Sequence, residues 1–280
     1  MSKLVLGLAN LNAKYGKLKN TLTTKEFRKI LSKKNNTLID TAILYKKNSD
    51  ILKKEKNKIT IISKLPGLNL KKNIRDQIQI LISDYLKKLE VKKIDTLLLH
   101  RPEQLLDKNG ADIYIVLKDL KQRKIIKNFG YSLYDDHSLN ILINKFKPDT
   151  LQFPLNLLNN EFTKKKNINL IKKKKIKIQV RSIFLQGLLI TENETDKSLY
   201  WLKKYLNIIK IFSTKHKMSP LDCSINFIKK KKYINEVVIG CNSLENFNQI
   251  EKSFQNKKSI YPKIIISKKE KKLIDPRNWR

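Results

Sequence analysis

The feature that most constrains the fold is a regular alternation of short apolar runs and amphipathic segments along the chain. The apolar runs have the length of strands, and most are continuous rather than alternating, as in strands that are covered on both faces. The predicted strands are residues 3–8, 37–40, 59–64, 95–100, 125–132, 150–153, 176–182 and 236–240. Eight strand–helix units in 280 residues predict a single α/β domain, a closed (β/α)8 TIM barrel with parallel strands.

The segments between the strands carry helix signals. Thr23 and Glu26 have the spacing of a capping box, and the residues after them place apolar side chains on one face. Residues 74–89 repeat apolar positions at the period of an amphipathic helix. Ser219 and Pro220 are typical of an N-cap and the first residue of a helix. These patterns predict the crossover helices that parallel strands need.

A doubly wound open sheet is the alternative arrangement of the same units. A dinucleotide-binding sheet of that kind carries a GxGxxG motif after its first strand, and this chain has none there. The closed barrel is therefore the predicted architecture for residues 1–280. Residues 257–280 fall outside the repeat, and we expect them to pack across the barrel as a C-terminal tail.

The formal net charge of +36 would by itself suggest a nucleic-acid or membrane partner. Only seven of the 61 basic residues are arginine, which is the side chain best suited to bind phosphates and base edges. Lysine, asparagine and isoleucine are also the residues that an AT-rich genome favours, so we interpret most of the charge as compositional. The sequence predicts no specific nucleic-acid partner and leaves weak nonspecific binding open.

The remaining composition points to a cytoplasmic protein without a membrane partner. No apolar stretch approaches the roughly 20 residues that cross a bilayer, and the N-terminus lacks the apolar core and cleavage site of a signal peptide. Cys223 and Cys241 have no CxxC spacing and no histidine positioned with them. Neither a disulfide framework nor a metal site is predicted, and we expect both cysteines to pack in the core.

Polar residues close or follow three neighbouring predicted strands. Asp40 ends the second strand, Tyr45 lies in the loop after it, Lys64 ends the third strand and His100 ends the fourth. In a (β/α)8 barrel the carboxyl ends of the strands and the loops after them form the reaction face. The pattern therefore predicts that an acid, a phenol, an amine and an imidazole meet at one mouth of the barrel.

These side chains suit proton transfer to an oxygen atom. A phenol has a pKa near 10, so it donates poorly at neutral pH unless a nearby ammonium stabilises the phenolate. Lys64 would supply that ammonium, Asp40 would keep the buried lysine charged, and His100 would hold the oxygen of a carbonyl substrate. Taken singly, each residue also fits an ordinary structural role. Their occurrence together at strand ends favours the catalytic interpretation.

Motifs in collinear order extend this pattern over nearly the whole chain. They are LGLANLNAKYG, IDTAILY, SKLP, LLLHRPE, FGYSLYD, LQFPLNLLN, RSIFLQGLL and VVIGCNSLEN. At these stretches the sequence resembles the aldo-keto reductase family, most of all bacterial members with a DPRNW-like tail. The resemblance implies a barrel enzyme that uses NADPH or NADH. It implies Tyr45 as general acid and base, Lys64 and Asp40 as its pKa-lowering partners, and His100 as the residue that orients the substrate.

The resemblance also implies a set of cofactor-binding residues. They are Ser132 and Gln152 at the nicotinamide carboxamide, Ser182, Phe184, Leu185, Gln186 and Gly187 along the pyrophosphate, and Gly240, Ser243 and Asn246 by the adenosine. A helix that starts after Ser243 would favour a phosphate at its N-terminus. Taken alone, Ser132 fits a helix N-cap equally well, and the QGLL stretch fits a packed turn.

The sequence departs from the family pattern in several places. Lys46 follows Tyr45 where relatives have glycine, and Leu133 stands where asparagine often follows the serine. Asn246 stands where many relatives place a basic residue for the 2′-phosphate, so NADPH and NADH both remain open. The predicted function is reduction of a small aldehyde or ketone, with a sugar-like carbonyl as one candidate. A nucleotide-binding barrel with a regulatory or scaffold role and no turnover is the alternative.

Overall fold

Eight parallel strands close into one barrel in the order in which they occur along the chain. The computed structural model describes residues 2–13, 21–34, 36–191 and 199–279. The strands are β1 (Lys3–Gly7), β2 (Thr37–Asp40), β3 (Ile59–Leu65), β4 (Ile94–Leu99), β5 (Ile126–Ser132), β6 (Thr150–Pro154), β7 (Lys177–Arg181) and β8 (Glu236–Ile239). The predicted barrel is confirmed, and each strand boundary lies within one residue of the predicted one.

Helices lie in the connections between the strands and after the last strand. They are α1 (Thr24–Lys33), α2 (Ser49–Lys54), α3 (Ile74–Leu89), α4 (Ala111–Gln122), α5 (Leu139–Lys145), α6 (Lys165–Lys173), α7 (Tyr200–Lys215), α8 (Pro220–Lys229), α9 (Leu244–Gln255) and α10 (Lys268–Lys271). Each connection therefore runs from the end of one strand to the start of the next parallel strand, as the pattern predicts. None of the described helices combines the length and the apolar character that crossing a bilayer requires.

Two kinds of side chain fill the interior of the barrel. A cluster of buried aliphatic residues, set apart from the larger core, occupies the part formed by β8 and β1 to β4; its members are Val5, Leu38, Ile62, Leu98 and Val238. Buried polar residues fill the rest of the interior, among them Gln152 on β6, Gln179 on β7 and Glu236 on β8. Gln152 hydrogen-bonds to Asp40 on β2, a contact that has to cross the barrel.

The predicted N-cap Ser219 forms a complete capping box, whereas the capping box predicted at Thr23 is half formed. At α8 the Ser219 hydroxyl accepts from the N–H of Asp222 at 3.1 Å, and the Asp222 carboxylate accepts from the N–H of Ser219 at 3.0 Å. At α1 the Thr23 hydroxyl accepts from the N–H of Glu26 at 3.2 Å, but the Glu26 carboxylate accepts from the N–H of Leu244 at 2.8 Å. Glu26 therefore connects α1 to the start of α9.

The segment after α9 runs back to the mouth of the barrel. Glu270 accepts from the Tyr205 hydroxyl of α7 at 2.8 Å and pairs with Lys204 at 2.7 Å. Further on, the guanidinium carbon of Arg277 lies 3.9 Å from the centroid of the Tyr134 ring. Tyr134 follows the carboxyl end of β5 and lines the cavity described next.

Candidate active site

A cavity of about 360 Å³ opens at the carboxyl ends of the strands, and its volume is typical of small-molecule sites. The predicted catalytic residues all line it, namely Asp40, Tyr45, Lys64 and His100. Most of the predicted cofactor-binding residues line the same cavity, namely Ser132, Ser182, Phe184, Gln186, Gly187, Gly240 and Asn246. The structure thus brings together side chains from six strands or the loops after them.

Asp40 and Lys64 form a buried ion pair on the wall of the cavity. The Lys64 ammonium contacts Asp40 Oδ1 and donates to the Thr41 carbonyl at 3.2 Å. The two side chains are only 10% and 6% exposed, so water screens the pair weakly. Burial lowers the pKa of Lys64 below its usual value, and the Asp40 carboxylate opposes that shift. Loss of Asp40 would leave a buried ammonium unpaired, which is strongly unfavourable.

The loop that carries Tyr45 is tied to the strands on either side of β2. The N–H of Ile43 donates to the Lys64 carbonyl at 3.2 Å, which continues the β2–β3 pairing into the loop. Asn48 is 3% exposed, and its side-chain amide donates to the Leu8 carbonyl, just after β1, at 3.2 Å. These contacts fix the backbone on both sides of Tyr45.

Lys46 fits its position without strain. It begins a 3-10 turn, Lys46–Asn48, that leads directly into α2, and its φ is negative. A left-handed backbone would have required glycine here, and this loop does not adopt one. The departure from the family pattern after Tyr45 therefore leaves the loop ordered.

His100 follows β4 directly, and its N–H donates to the Leu65 carbonyl at 2.9 Å. Burial is the largest cause of a pKa lowered to about 4, and the charges of Lys64 and Arg181 lower it further against the opposing effect of Asp40. The imidazole is therefore neutral at neutral pH. A neutral imidazole donates one N–H and can polarise a carbonyl oxygen without acting as an acid.

Ser132 and Gln152 contact each other at the base of the cavity. Ser132 is the last residue of β5, and its hydroxyl donates to Gln152 Oε1 at 2.9 Å. The N-cap interpretation of Ser132 is therefore wrong. Gln152 is fully buried, does not line the cavity, and donates from Nε2 to Asp40 Oδ2 at 2.7 Å.

Two further predicted cofactor-binding residues have side chains that do not line the cavity. Leu185 is 1% exposed and packs in the main core. Ser243 is the N-cap of α9, where its hydroxyl accepts from the N–H of Asn246 at 3.1 Å. The motif alone does not distinguish a buried or capping position of this kind from a contact position.

The comparisons with known proteins agree with this geometry. The sequence model of the Aldo/keto reductase family matches residues 3–265 of the chain. The chain belongs to the aldo/keto reductase family. The resemblance carried by the sequence motifs is thereby confirmed. The curated proteins include none that matches the chain.

Solved structures of aldo-keto reductases share the fold. The holo form of AKR11C1 from Bacillus halodurans is 16% identical with a TM-score of 0.70, and the match covers 97% of this chain and 90% of that one. The thermostable Tm1743, solved with the inhibitor epalrestat, is 18% identical with a TM-score of 0.68 and coverages of 98% and 94%. MGS-M4, from a Medee basin deep-sea metagenome library, is 19% identical with a TM-score of 0.60 and coverages of 98% and 90%.

In this aldo/keto reductase, left-handed backbone shapes the loop after β7. The φ angles of Ser182, Leu185, Gln186 and Gly187 are 58°, 48°, 57° and 91°. Non-glycine residues adopt such angles only when surrounding contacts hold them, and Asn156 supplies one by donating to the Ser182 carbonyl at 3.1 Å. Gln186 Oε1 is buried beside the cavity without a hydrogen-bond partner among the described residues. That oxygen is available to a donor on a bound ligand.

The other end of the cavity lies between β8 and α9. A Cβ atom added to Gly240 would meet no atom within 4 Å, so a ligand can approach the backbone there. Asn242 and Asn246 line the same end, and the N-terminus of α9 favours an anionic group. An unpaired acceptor at Gln186 and open space at Gly240 fit a bound nicotinamide dinucleotide.

Arg181, which ends β7 and lines the cavity, was not among the predicted site residues. Its Nη2 donates to the Leu133 carbonyl at 3.2 Å, and its guanidinium carbon lies 4.3 Å from the centroid of the Tyr134 ring. Its charge contributes to the lowered pKa values of His100 and Lys64. The signal was present, because Arg181 is a charged residue near the end of a predicted strand, as Lys64 is.

The cysteines are buried as predicted, and Cys241 also lines the cavity. Burial raises the pKa of the Cys241 thiol to about 12, so it stays protonated at neutral pH. Among the described residues, no group of three or more His, Cys, Asp or Glu side chains is arranged to hold a metal ion.

Proposed function

We propose that this aldo/keto reductase reduces a small aldehyde or ketone to the alcohol with NADH or NADPH, and that Tyr45 donates the proton. The observation that carries this proposal is the buried Asp40–Lys64 ion pair, which lines the same cavity as Tyr45 and His100. A buried ammonium is a strong stabiliser of a neighbouring phenolate, because little water screens it. The open end at Gly240 supports the dinucleotide.

The residues divide the chemistry among them. The cofactor, when bound, supplies a hydride to the carbonyl carbon. Tyr45 transfers its hydroxyl proton to the carbonyl oxygen as negative charge develops there, and the Lys64 ammonium stabilises the phenolate that remains. Asp40 keeps Lys64 charged in its buried position. Neutral His100 donates an N–H to the same oxygen and orients the substrate.

The start of α9 favours NADH over NADPH. The Glu26 carboxylate accepts from the N–H of Leu244, and hydrogen bonds from Lys29 and Leu244 lower the pKa of Glu26, so it is ionised. Glu245 adds a second carboxylate in the first turn of α9. The Glu26 carboxylate thus already occupies an N–H group at the start of α9 that would otherwise be open to a 2′-phosphate. We expect NADH to bind at least as tightly as NADPH.

Fluorescence titration with NADH and NADPH, followed by turnover assays on a panel of aldehydes, ketones and sugars, tests the proposal. Tyr45→Phe removes only the hydroxyl, so we expect kcat to fall by about 10²- to 10⁴-fold while cofactor affinity stays unchanged. Tyr114→Phe is the matched control, since Tyr114 lies on α4 and its hydroxyl donates to the Lys147 carbonyl at 3.2 Å.

Full activity of Tyr45→Phe would contradict the proton-donor role. Cofactor binding without turnover of any carbonyl on the panel would support instead the nucleotide-binding barrel with a regulatory or scaffold role. Failure to bind either cofactor would exclude both the carbonyl reductase and the nucleotide-binding barrel.

A further inference from the structure

A line of buried hydrogen bonds crosses the barrel beneath the cavity and ends on Asp40. We propose that Gln179 and Glu236 are positioning residues of the active site, which set the amide orientation of Gln152 and thereby hold the Asp40 carboxylate in place. The inference rests on the proposed function, because the ion pair that Asp40 makes is the one that activates Tyr45. Neither Gln179 nor Glu236 lines the cavity, so they act through Gln152.

Strand pairing brings the members of this line side by side. The β6–β7 register places Gln152 opposite Gln179, and the β7–β8 register places Gln179 opposite Glu236. Both glutamines are 0% exposed and Glu236 is 4% exposed. Gln152 Nε2 donates to Gln179 Oε1, and Gln179 Nε2 donates to Glu236 Oε2 at 2.8 Å. Lys177, at the amino end of β7, pairs with Glu236 Oε1.

Only one set of amide orientations satisfies the line, because a carboxylate can only accept and an ammonium can only donate. Glu236 requires the Nε2 group of Gln179, and this turns Gln179 Oε1 towards Gln152. That oxygen takes one N–H of Gln152, which leaves the other for Asp40 Oδ2 at 2.7 Å. The Ser132 hydroxyl donates to the Gln152 oxygen that remains. The carboxylates at the two ends of the line, Glu236 and Asp40, thus require the same orientation of both amides.

The packing of the barrel does not require these polar groups. The strands β8 and β1 to β4 fill their share of the interior with the aliphatic cluster of Val5, Leu38, Ile62, Leu98 and Val238. Buried amides and carboxylates destabilise a fold unless each is hydrogen-bonded, so an apolar filling on β6 and β7 would be the simpler solution. The line of hydrogen bonds ends on the Asp40 carboxylate. We infer that these polar residues are present because they hold that carboxylate in position.

Glu236→Gln tests the orientation without changing the volume of the side chain. The oxygen of the new amide has to face the Lys177 ammonium, so its NH₂ group faces Gln179. Gln179 must then turn its own oxygen to residue 236 and its NH₂ to Gln152. Gln152 can accept that bond only by turning its oxygen towards Asp40, and the bond to Asp40 is lost.

We expect Glu236→Gln to lower kcat about fivefold or more, since one hydrogen bond to a charged group is lost. The alkaline limb of the pH–rate profile should move to lower pH, because burial already lowers the pKa of Lys64 and a displaced carboxylate opposes this less. The KM for the carbonyl and the dissociation constant of NADH should stay within about twofold.

The double variant Lys177→Met with Glu236→Gln is the decisive comparison. Without the ammonium, the amide oxygen at residue 236 is free to accept from Gln179, and the original orientation returns. We expect kcat and the pH profile of the double variant to move back towards the wild-type values. A purely structural role for Glu236 predicts the opposite, because the double variant loses a second packing contact and should be worse. Gln179→Met removes one acceptor of Gln152 without forcing the amide to turn, so we expect its kcat to fall less than that of Glu236→Gln.

A folded Glu236→Gln variant with wild-type kcat and pH profile would overturn the inference, and so would a double variant without any recovery. If the wild-type protein reduces no carbonyl, the proposed function fails, and a crystal structure of Glu236→Gln then decides the inference alone. Separation of Gln152 from Asp40 beyond hydrogen-bond distance would support it, and an unchanged contact would refute it.

Discussion

Burial determines what each ionisable side chain of the site can do. Lys64 and Asp40 are both buried and pair with each other, whereas His100 has no carboxylate bonded to it among the described residues. Burial lowers the pKa of His100, so the imidazole is neutral at neutral pH. The site therefore holds one charged pair and one neutral imidazole, and this combination suits a phenol as the acid.

Protonation of His100 should limit stability at low pH. Its folded-state pKa of about 4 lies below the usual 6.5, so between these values the unfolded chain binds a proton that the folded chain does not. The stabilisation is complete above the higher value and is lost as the pH falls towards the lower one. In urea unfolding at pH 7, 6 and 5, wild type should lose up to about 1.4 kcal/mol per pH unit more than His100→Gln. Equal losses in the two proteins would exclude this role of the imidazole.

The candidate catalytic residues could be predicted from the sequence because each is a polar residue at or just after the end of an apolar run. The orientation of the Gln152 amide could not be predicted, since a motif position carries no information about which atoms an amide faces. Arg181 was missed for a different reason. It lay inside a longer motif, and its closeness to His100 arises only when β7 and β4 meet at the mouth of the closed barrel.

Among the elements, the short connection between β2 and α2 matters most for the reaction, because it carries Tyr45. Backbone pairing to Lys64 holds one side of this loop and the Asn48 amide holds the other. Ile43 packs against the main core, and the hydrogen bond from Asn48 to the Leu8 carbonyl adds a polar anchor on the other side of Tyr45.

Asn48→Ala should therefore loosen Tyr45 without touching the cofactor site. The Leu8 carbonyl keeps its bond from the N–H of Leu11 at 3.2 Å but loses the one from Asn48, so we expect the free energy of unfolding to fall by about 0.5–1.5 kcal/mol. We also expect kcat to fall while NADH affinity is unchanged. Asn144→Ala is the matched control, since the Asn144 side chain is exposed and bonds only to Asn140 at 2.8 Å. An Asn48→Ala variant with normal kcat would show that the loop needs no such anchor.

For the whole molecule, the high net charge has little bearing on the fold or the site. The site's buried ammonium is paired with Asp40, and most of the described lysines are exposed or half-buried. A charge of +36 nevertheless attracts polyanions at long range.

Binding of random-sequence duplex DNA should accordingly be weak, independent of sequence and steeply dependent on salt. We expect the affinity to fall by about 10³-fold or more between roughly 50 and 200 mM salt, because released counterions drive such binding. Fluorescence anisotropy across a salt series measures this, with carbonyl reduction followed in parallel. Binding that survives the higher salt or prefers one sequence would restore the nucleic-acid interpretation.

The sequence by itself determined the barrel, the helix starts and the four strand-end residues, because each depends on patterns within a few neighbouring positions. Apolar runs specify strands, capping residues specify helix ends, and a polar residue after an apolar run marks the mouth.

Only the tertiary structure decided which of these residues touch. Asp40 and Gln152 are 112 positions apart and meet because closure of the barrel brings β2 and β6 to face each other across the interior. The contacts of Gln179 with Glu236 depend in turn on the strand register. Local sequence specifies neither which strands face each other nor their register, since both follow from the pairing of all eight strands at once.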